Sequence, residues 1–279
     1  MARTVAYLGP HGTYCEETVL SIYGDQPDVS LKPFSTIDEA IRAVAGGEVD
    51  ESIVPVENSL EGSVNVTLDT IAHDVNLYIT KEIILPVRHN LLANKGSSDV
   101  DAIVSHPQAL AQCRKTLGKL YPQAKLIPVE STAAAARKVA DGEGRLAAVG
   151  SLKAAEHYGL TVIAAGIQDN ATNSTRFIGL ERQPLTDATG KCKTTLVCQI
   201  NGAQPGSLYY LLGELAQRSV NLTRIESRPA RTGLGMYIFF LDIEGSITEP
   251  NIADAVNAVK EKSLWFKNFG SYPSFQITK

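Results

Sequence analysis

The densest chemistry in the sequence lies at Asn170-Ala171-Thr172-Asn173-Ser174-Thr175-Arg176-Phe177, which packs amides, hydroxyls and one cation between apolar stretches at 162–165 and 177–180. A guanidinium can fork onto a carboxylate, and a neighbouring hydroxyl can donate to a leaving group. The segment reads either as the floor of a cleft or as a polar loop before an edge strand. In Gly9-Pro10-His11-Gly12-Thr13-Tyr14, Gly12 and Thr13 either offer backbone N–H groups to an anion or make a tight strand-to-helix turn. Neither G-x-x-x-x-G-K nor G-x-G-x-x-G occurs there. Pro55-Val56-Glu57-Asn58-Ser59-Leu60-Glu61-Gly62-Ser63 sets Glu57, Asn58 and Ser59 at the carboxyl end of a buried strand, where open α/β sheets hold ligands. Ser105-His106-Pro107-Gln108-Ala109-Leu110 puts His106 just before a helix, as a cap or as a site residue, with Gln108 in its first turn. The remaining histidines have no metal-ligand spacing to cysteines or carboxylates, so no metal and no cofactor are expected.

Near the C-terminus, Gly206-Ser207-Leu208 opens a helix and Glu226-Ser227-Arg228-Pro229 ends a strand. A helix N-terminus with one Glu and one Arg suits the two charges of a free amino acid; two ordinary loops would look the same.

These residues need elements to position them. The 279 residues amount to 30.0 kDa, enough for two domains with sizeable cores. Lys and Arg number 26 against 30 Asp and Glu, a net charge of −4 that excludes a strongly basic nucleic-acid binder. No apolar run approaches a membrane span, no signal peptide is expected, and four scattered cysteines (Cys15, Cys113, Cys192 and Cys198) fit reduced thiols in the cytoplasm.

Strands are predicted at 5–8, 31–34, 52–56, 77–85, 102–104, 126–129, 146–149 and 162–165. Helices fall between them, at 13–23 and 36–44 with capping-box spacing, and at 107–117, 131–140 and 151–157. That alternation predicts parallel sheets in two α/β lobes around a cleft. Residues 183–191 read as a linker. The order βαββαβ beyond it is ferredoxin-like, with sheet edges suited to dimerisation.

Together these motifs resemble prephenate dehydratase. The matching residues are Gly9-Pro10 with Gly12-Thr13-Tyr14, residues 54–59 with Glu61-Gly62, residues 105–110, and Asn173 with Thr175-Arg176-Phe177. Gly206-Ser207-Leu208 and Glu226-Ser227-Arg228-Pro229 resemble an ACT regulatory domain, with Ser207 where the family often has Ala. The resemblance implies a catalytic domain at 1–182, similar to periplasmic binding proteins, with lobes at about 1–80 plus 170–182 and at 81–169. A regulatory domain at 192–279 would follow. It implies decarboxylating dehydration of prephenate to phenylpyruvate, phenylalanine inhibition at Gly206, Ser207, Leu208, Glu226, Ser227, Arg228 and Pro229, and a homodimer or homotetramer of the monofunctional type.

The resemblance makes Thr175 the essential residue, here a donor at the leaving hydroxyl. Arg176 would bind a carboxylate, and Glu57 would stand behind Thr175 as acid, with His106 the second choice. Gly12, Thr13, Asn58, Ser59, Gln108, Asn173 and Ser174 would complete the substrate site, with Phe177 as an apolar wall. Arogenate dehydratase and a non-catalytic amino-acid-sensing or solute-binding module are the alternatives.

Overall fold

Thr13 accepts the N–H of Glu16 and Thr36 that of Glu39, so both expected caps form. They start α1 (Tyr14–Tyr23) and α2 (Ile37–Ala45), which join β1 (Arg3–Leu8), β2 (Val29–Phe34) and β3 (Glu51–Asn58). The computed structural model containing them describes residues 3–97, 99–142, 145–188 and 190–277. β1 runs parallel to both β2 and β3. Then β4 (Gly62–Ser63), α3 (Asn65–Asp69) and a π-helical turn at Thr70–Asp74 lead into β5 (Tyr78–Pro86). The chain thus stays in the first sheet through Pro86 before crossing to the second lobe.

That lobe carries β6 (Asn90–Ala93), β7 (Ala102–Ser105), α4 (Pro107–Gln112), α5 (Arg114–Leu120), β8 (Lys125–Pro128), α6 (Thr132–Asp141), β9 (Leu146–Gly150), α7 (Leu152–Tyr158) and β10 (Thr161–Ala164). Its sheet order is β10-β6-β9-β7-β8. The expected parallel pairing is only partly realised: β7 is parallel to β8 and β9, whereas β6 is antiparallel to β9 and β10. The chain enters on β6 and leaves on β10 past one hinge, so these two neighbours run oppositely. The single helix expected over 107–117 is broken at Cys113. Asp169, from the returning segment, accepts the N–H groups of Lys115 and Thr116 and starts α5 afresh.

β11 (Ser174–Glu181) carries the chain back and inserts antiparallel between β3 and β5. Beyond it come β12 (Cys192–Gln199), α8 (Ser207–Gln217), β13 (Leu222–Pro229), β14 (Tyr237–Glu244), α9 (Pro250–Glu261) and β15 (Trp265–Gln276), the expected βαββαβ order. α8 and α9 cover one face of this sheet through Leu196, Leu211, Leu215, Leu241 and Val256. Two features were not expected. The end of β15 pairs in parallel with β5, Ser274 opposite Glu82, which joins the two units into one ten-stranded sheet. The other face, with Val197, Phe240, Phe269 and Tyr272, shares a core with Val56, Leu68, Ile71 and Ile79 of the first lobe. Among the described residues, no helix is long and apolar enough to cross a membrane, and no three His, Cys, Asp or Glu side chains group as metal ligands.

Candidate active site

Two crossing segments form the hinge and are bonded to each other. Val87 N–H donates to Asn173 O at 2.9 Å, Ile167 N–H to His89 O at 2.8 Å, and Gly166 N–H to Asn90 Oδ1 at 3.1 Å. Beside the hinge lies a cleft of about 310 Å³. Tyr14, Asn58, Glu61, Val64, Val87, Asn173 and Thr175 line it from the first lobe and the hinge. His89, His106, Gln108, Ala109, Gln112, Glu130, Ser131 and Thr132 line it from the second. That volume suits a ligand of about one ring.

The floor of the cleft is a chain of amides. Asn58 Oδ1 accepts the N–H of Leu60, which fixes the orientation of its amide. Asn58 Nδ2 then donates to Asn173 Oδ1 and to Thr175 Oγ1, both at 3.0 Å. Thr175 therefore acts as acceptor within the protein, and among the described residues no protein group takes its proton. Asn173 Nδ2 donates to Gln112 Oε1 at 2.7 Å, and His89 Nε2 reaches the same oxygen at 2.8 Å. Gln112 Nε2 closes the chain on Glu61 Oε1 at 3.0 Å, from one lobe to the other. Since Gln112 Oε1 accepts only, His89 carries its proton on Nε2, and its Nδ1 faces the Tyr14 hydroxyl at 2.8 Å. Burial lowers the His89 pKa against the pull of the Gln112 bond, so the ring stays neutral at pH 7. Burial raises Glu61 against opposing effects of Gln112 and His106.

Of the residues predicted from sequence, Asn58, His106, Gln108, Asn173 and Thr175 meet in this cleft. Arg176 and Glu57 do not, which corrects the roles expected of them. Successive side chains of a strand point to opposite faces. Thr175 pairs with Asn58 on the cleft face, so Arg176 and Glu57, the adjacent pair, take the other. Arg176 is ion-paired to buried Glu82, and its Nη1 lies 2.6 Å from Asp242 Oδ2. Burial alone would lower the Arg176 pKa, but Asp242, Tyr272 and Glu82 raise it further. Glu57 sits 3.3 Å from Arg224 and 3.6 Å from Arg176.

Gly12 and Thr13 do not line the cleft. Gly12 donates its N–H to Glu16 Oε2 at 2.6 Å and accepts from Ser151 Oγ at 3.0 Å, and Thr13 caps α1. A Cβ at Gly12 (φ +85°) would lie 3.2–3.3 Å from Ala154 and Tyr158, a crowded approach on a left-handed backbone, so this turn is a close interlobe contact. Ser59 and Ser174 brace the hinge: Ser59 Oγ accepts the Ser174 N–H at 2.9 Å. Phe177 is buried in the core between β1 and β5.

In the C-terminal unit, Gly206 (φ +81°) starts α8, followed by Ser207 and Leu208. β13 is a free sheet edge among the described strands. Glu226 and Arg228 turn inward while Ser227 and Pro229 are exposed. Arg228 is committed to the first lobe, bidentate to Asp69 at 2.9 Å on both bonds. Sequence reasoning missed Gln112 and His89. The signal for Gln112 was present, because Gln108 and Gln112 are four residues apart and share one helical face.

Comparison with known proteins adds the following. The sequence model of the prephenate dehydratase family matches residues 5–185. Prephenate dehydratase of Lactococcus lactis subsp. cremoris (strain MG1363) is 42% identical over 247 residues, 88% of each chain. The structure of prephenate dehydratase in complex with L-Phe from Arthrobacter aurescens superposes with a TM-score of 0.89 at 37% identity, over 97% of this chain and 90% of that one. GqqA, described as a novel type of quorum quenching acylases, superposes with a TM-score of 0.85 at 32% identity over 98% of each chain.

Proposed function

The chain belongs to the prephenate dehydratase family, and from that premise we propose how its cleft carries the reaction. Prephenate loses CO2 and its ring hydroxyl together and leaves an aromatic ring, so the chain acts as a carbon–oxygen lyase without a covalent intermediate. Hydroxide leaves poorly unless it is hydrogen-bonded or protonated as the C–O bond breaks. The observation that carries the reading is the bond from Asn58 Nδ2 to Thr175 Oγ1. With its lone pair engaged there, the threonine hydroxyl aims its hydrogen at the departing oxygen. A preorganised donor of this kind is worth about 10²–10³ in rate.

The substrate's carboxylates meet no Lys or Arg among the described lining residues. Their partners are Gln108, His106 and the first turn of α6. There Ser131 takes the Ala134 N–H, and the N–H groups of Thr132 and Ala133 lack intrahelical acceptors. Val64, Val87 and Ala109 give the ring an apolar wall, where charge spreads from the breaking carboxylate more readily than in water.

We extend L-Phe binding, as in the Arthrobacter aurescens protein, to the C-terminal unit read as an ACT domain. Gly206, Ser207 and Leu208 would act with Glu226, Ser227 and Pro229 between two copies of the chain, in a homodimer or homotetramer in the cytoplasm. Because Arg228 is engaged by Asp69, its role there would require release from the first lobe. The direct test mixes the protein with prephenate and reads phenylpyruvate absorbance in alkali, with and without phenylalanine, and in parallel supplies arogenate and reads by chromatography the phenylalanine it would yield. Phenylpyruvate formation suppressed by phenylalanine is expected. No product from prephenate overturns the reading, and product from arogenate alone replaces it.

A further inference from the structure

The proposed reaction needs a proton for the departing hydroxide, and Thr175 by itself is too weak an acid to surrender one. We propose that Glu61 is the general acid, delivering its carboxyl proton to the ring oxygen that Thr175 polarises. This rests on the prephenate dehydratase reading of the cleft and adds a residue to it.

The other candidates are committed elsewhere. Glu57 lies on the opposite sheet face beside Arg224 and Arg176. His89 has both ring nitrogens engaged, with Gln112 and Tyr14. The Tyr14 hydroxyl lies against Arg88 O and His89 Nδ1, and burial raises its pKa far out of working range. His106 Nδ1 accepts the Gln108 N–H and caps α4. Glu130 makes no hydrogen bond, among the described residues, to the amide chain that ends at Thr175.

Glu61 does. Its Oε1 accepts from Gln112, which connects through Asn173 and Asn58 to Thr175. One carboxyl oxygen is thereby fixed, and Oε2, free of protein hydrogen bonds among the described residues, is the one to carry the proton. The charged or titratable groups facing it across the cleft are His106 and Glu130, with His89 behind Gln112. Burial raises the Glu61 pKa, in the direction an acid requires. The residue stands on the turn between β3 and β4, still exposed with the lobes in this arrangement, so solvent can reload it between turnovers.

The step balances. The bond from the ring to its carboxylate breaks, and its electron pair enters the ring. The C–O bond breaks, the oxygen takes the Glu61 proton and leaves as water, and CO2 departs. The Glu61 carboxylate then recovers one proton from solvent.

The test is Glu61→Gln. Its amide oxygen still accepts from Gln112, so a purely structural role survives the change while the acid is lost. With wild-type enzyme, kcat should fall as pH rises through the Glu61 pKa in the substrate complex. E61Q should lose about 10²–10³ in kcat at similar KM and lose that alkaline limb. Glu61→Asp should restore part of the rate and the limb with it. Glu57→Gln should retain the limb. A wild-type chain that leaves prephenate untouched overturns the underlying reading. A wild-type chain that turns over beside an E61Q of normal kcat and unchanged limb overturns only the assignment to Glu61.

Discussion

Replacing Arg176 by Met separates two readings of the same residue. If its guanidinium gripped substrate, the variant would bind prephenate poorly and fold normally. The structure places it instead between Glu82 and Asp242, with the three side chains only 11%, 0% and 2% exposed. Met fills much of the same volume but leaves two buried carboxylates short of a cation. Glu82 keeps Lys193 at 2.8 Å and Ser274 at 2.6 Å. Asp242 keeps the Thr195 hydroxyl at 2.6 Å, but its next cation, Arg224, is 3.9 Å away. Removing one partner from a buried ion pair costs about 3–5 kcal/mol. With an unfolding entropy of about 2.1 cal/mol/K per residue and 279 residues, that lowers Tm by roughly 5–9 °C. Thermal unfolding and steady-state kinetics on one preparation are the assay. The expected result is the lower Tm, with KM for prephenate within about twofold of wild type. A KM raised tenfold or more with an unchanged Tm would refute the placement and return Arg176 to the substrate.

Thr175→Val should lose about 10²–10³ in kcat at similar KM, while Thr175→Ser keeps most of the rate; near-normal turnover by the valine variant would remove the donor role. Asn58→Asp puts a carboxylate acceptor where an amide donor stood, so it captures the Thr175 proton. A comparable loss in kcat is the outcome to look for, with a lowered Tm because the new carboxylate also faces Asn173 Oδ1; near-normal kcat would contradict it. Asp69 is held below its ordinary pKa by the Arg228 bonds, against burial. A lowered carboxyl pKa gives stability that is present above the unfolded value and disappears as pH falls through the folded one. Asp69→Asn should therefore lower Tm near neutral pH, and the gap from wild type should close in acid; a gap constant with pH would contradict it.

Local features were legible in the sequence. The caps at Thr13 and Thr36, the Pro107 helix start and the βαββαβ order each depend on neighbours within a few residues. What escaped the sequence was set at long range. Whether β6, β10 and β11 run with or against their neighbours follows from where the chain crosses the hinge, which no local pattern encodes. The break at Cys113 is imposed by Asp169, more than fifty residues away. Thr175 and Arg176 are adjacent in sequence and complementary in chemistry, which points to one shared site. Strand alternation alone argues against that, since neighbours on a strand face opposite ways. The same rule pairs Asn58 with Thr175 and Glu57 with Arg176 once the register is known.

The core shared by Val56, Leu68, Ile71 and Ile79 with Val197, Phe240, Phe269 and Tyr272 has a practical consequence. A fragment cut at the connecting segment would carry a raw greasy flank and a bared strand rim along β5, both prone to sticking. The C-terminal unit is thus no detachable accessory. Any swivel it makes must drag against the first lobe through that common core.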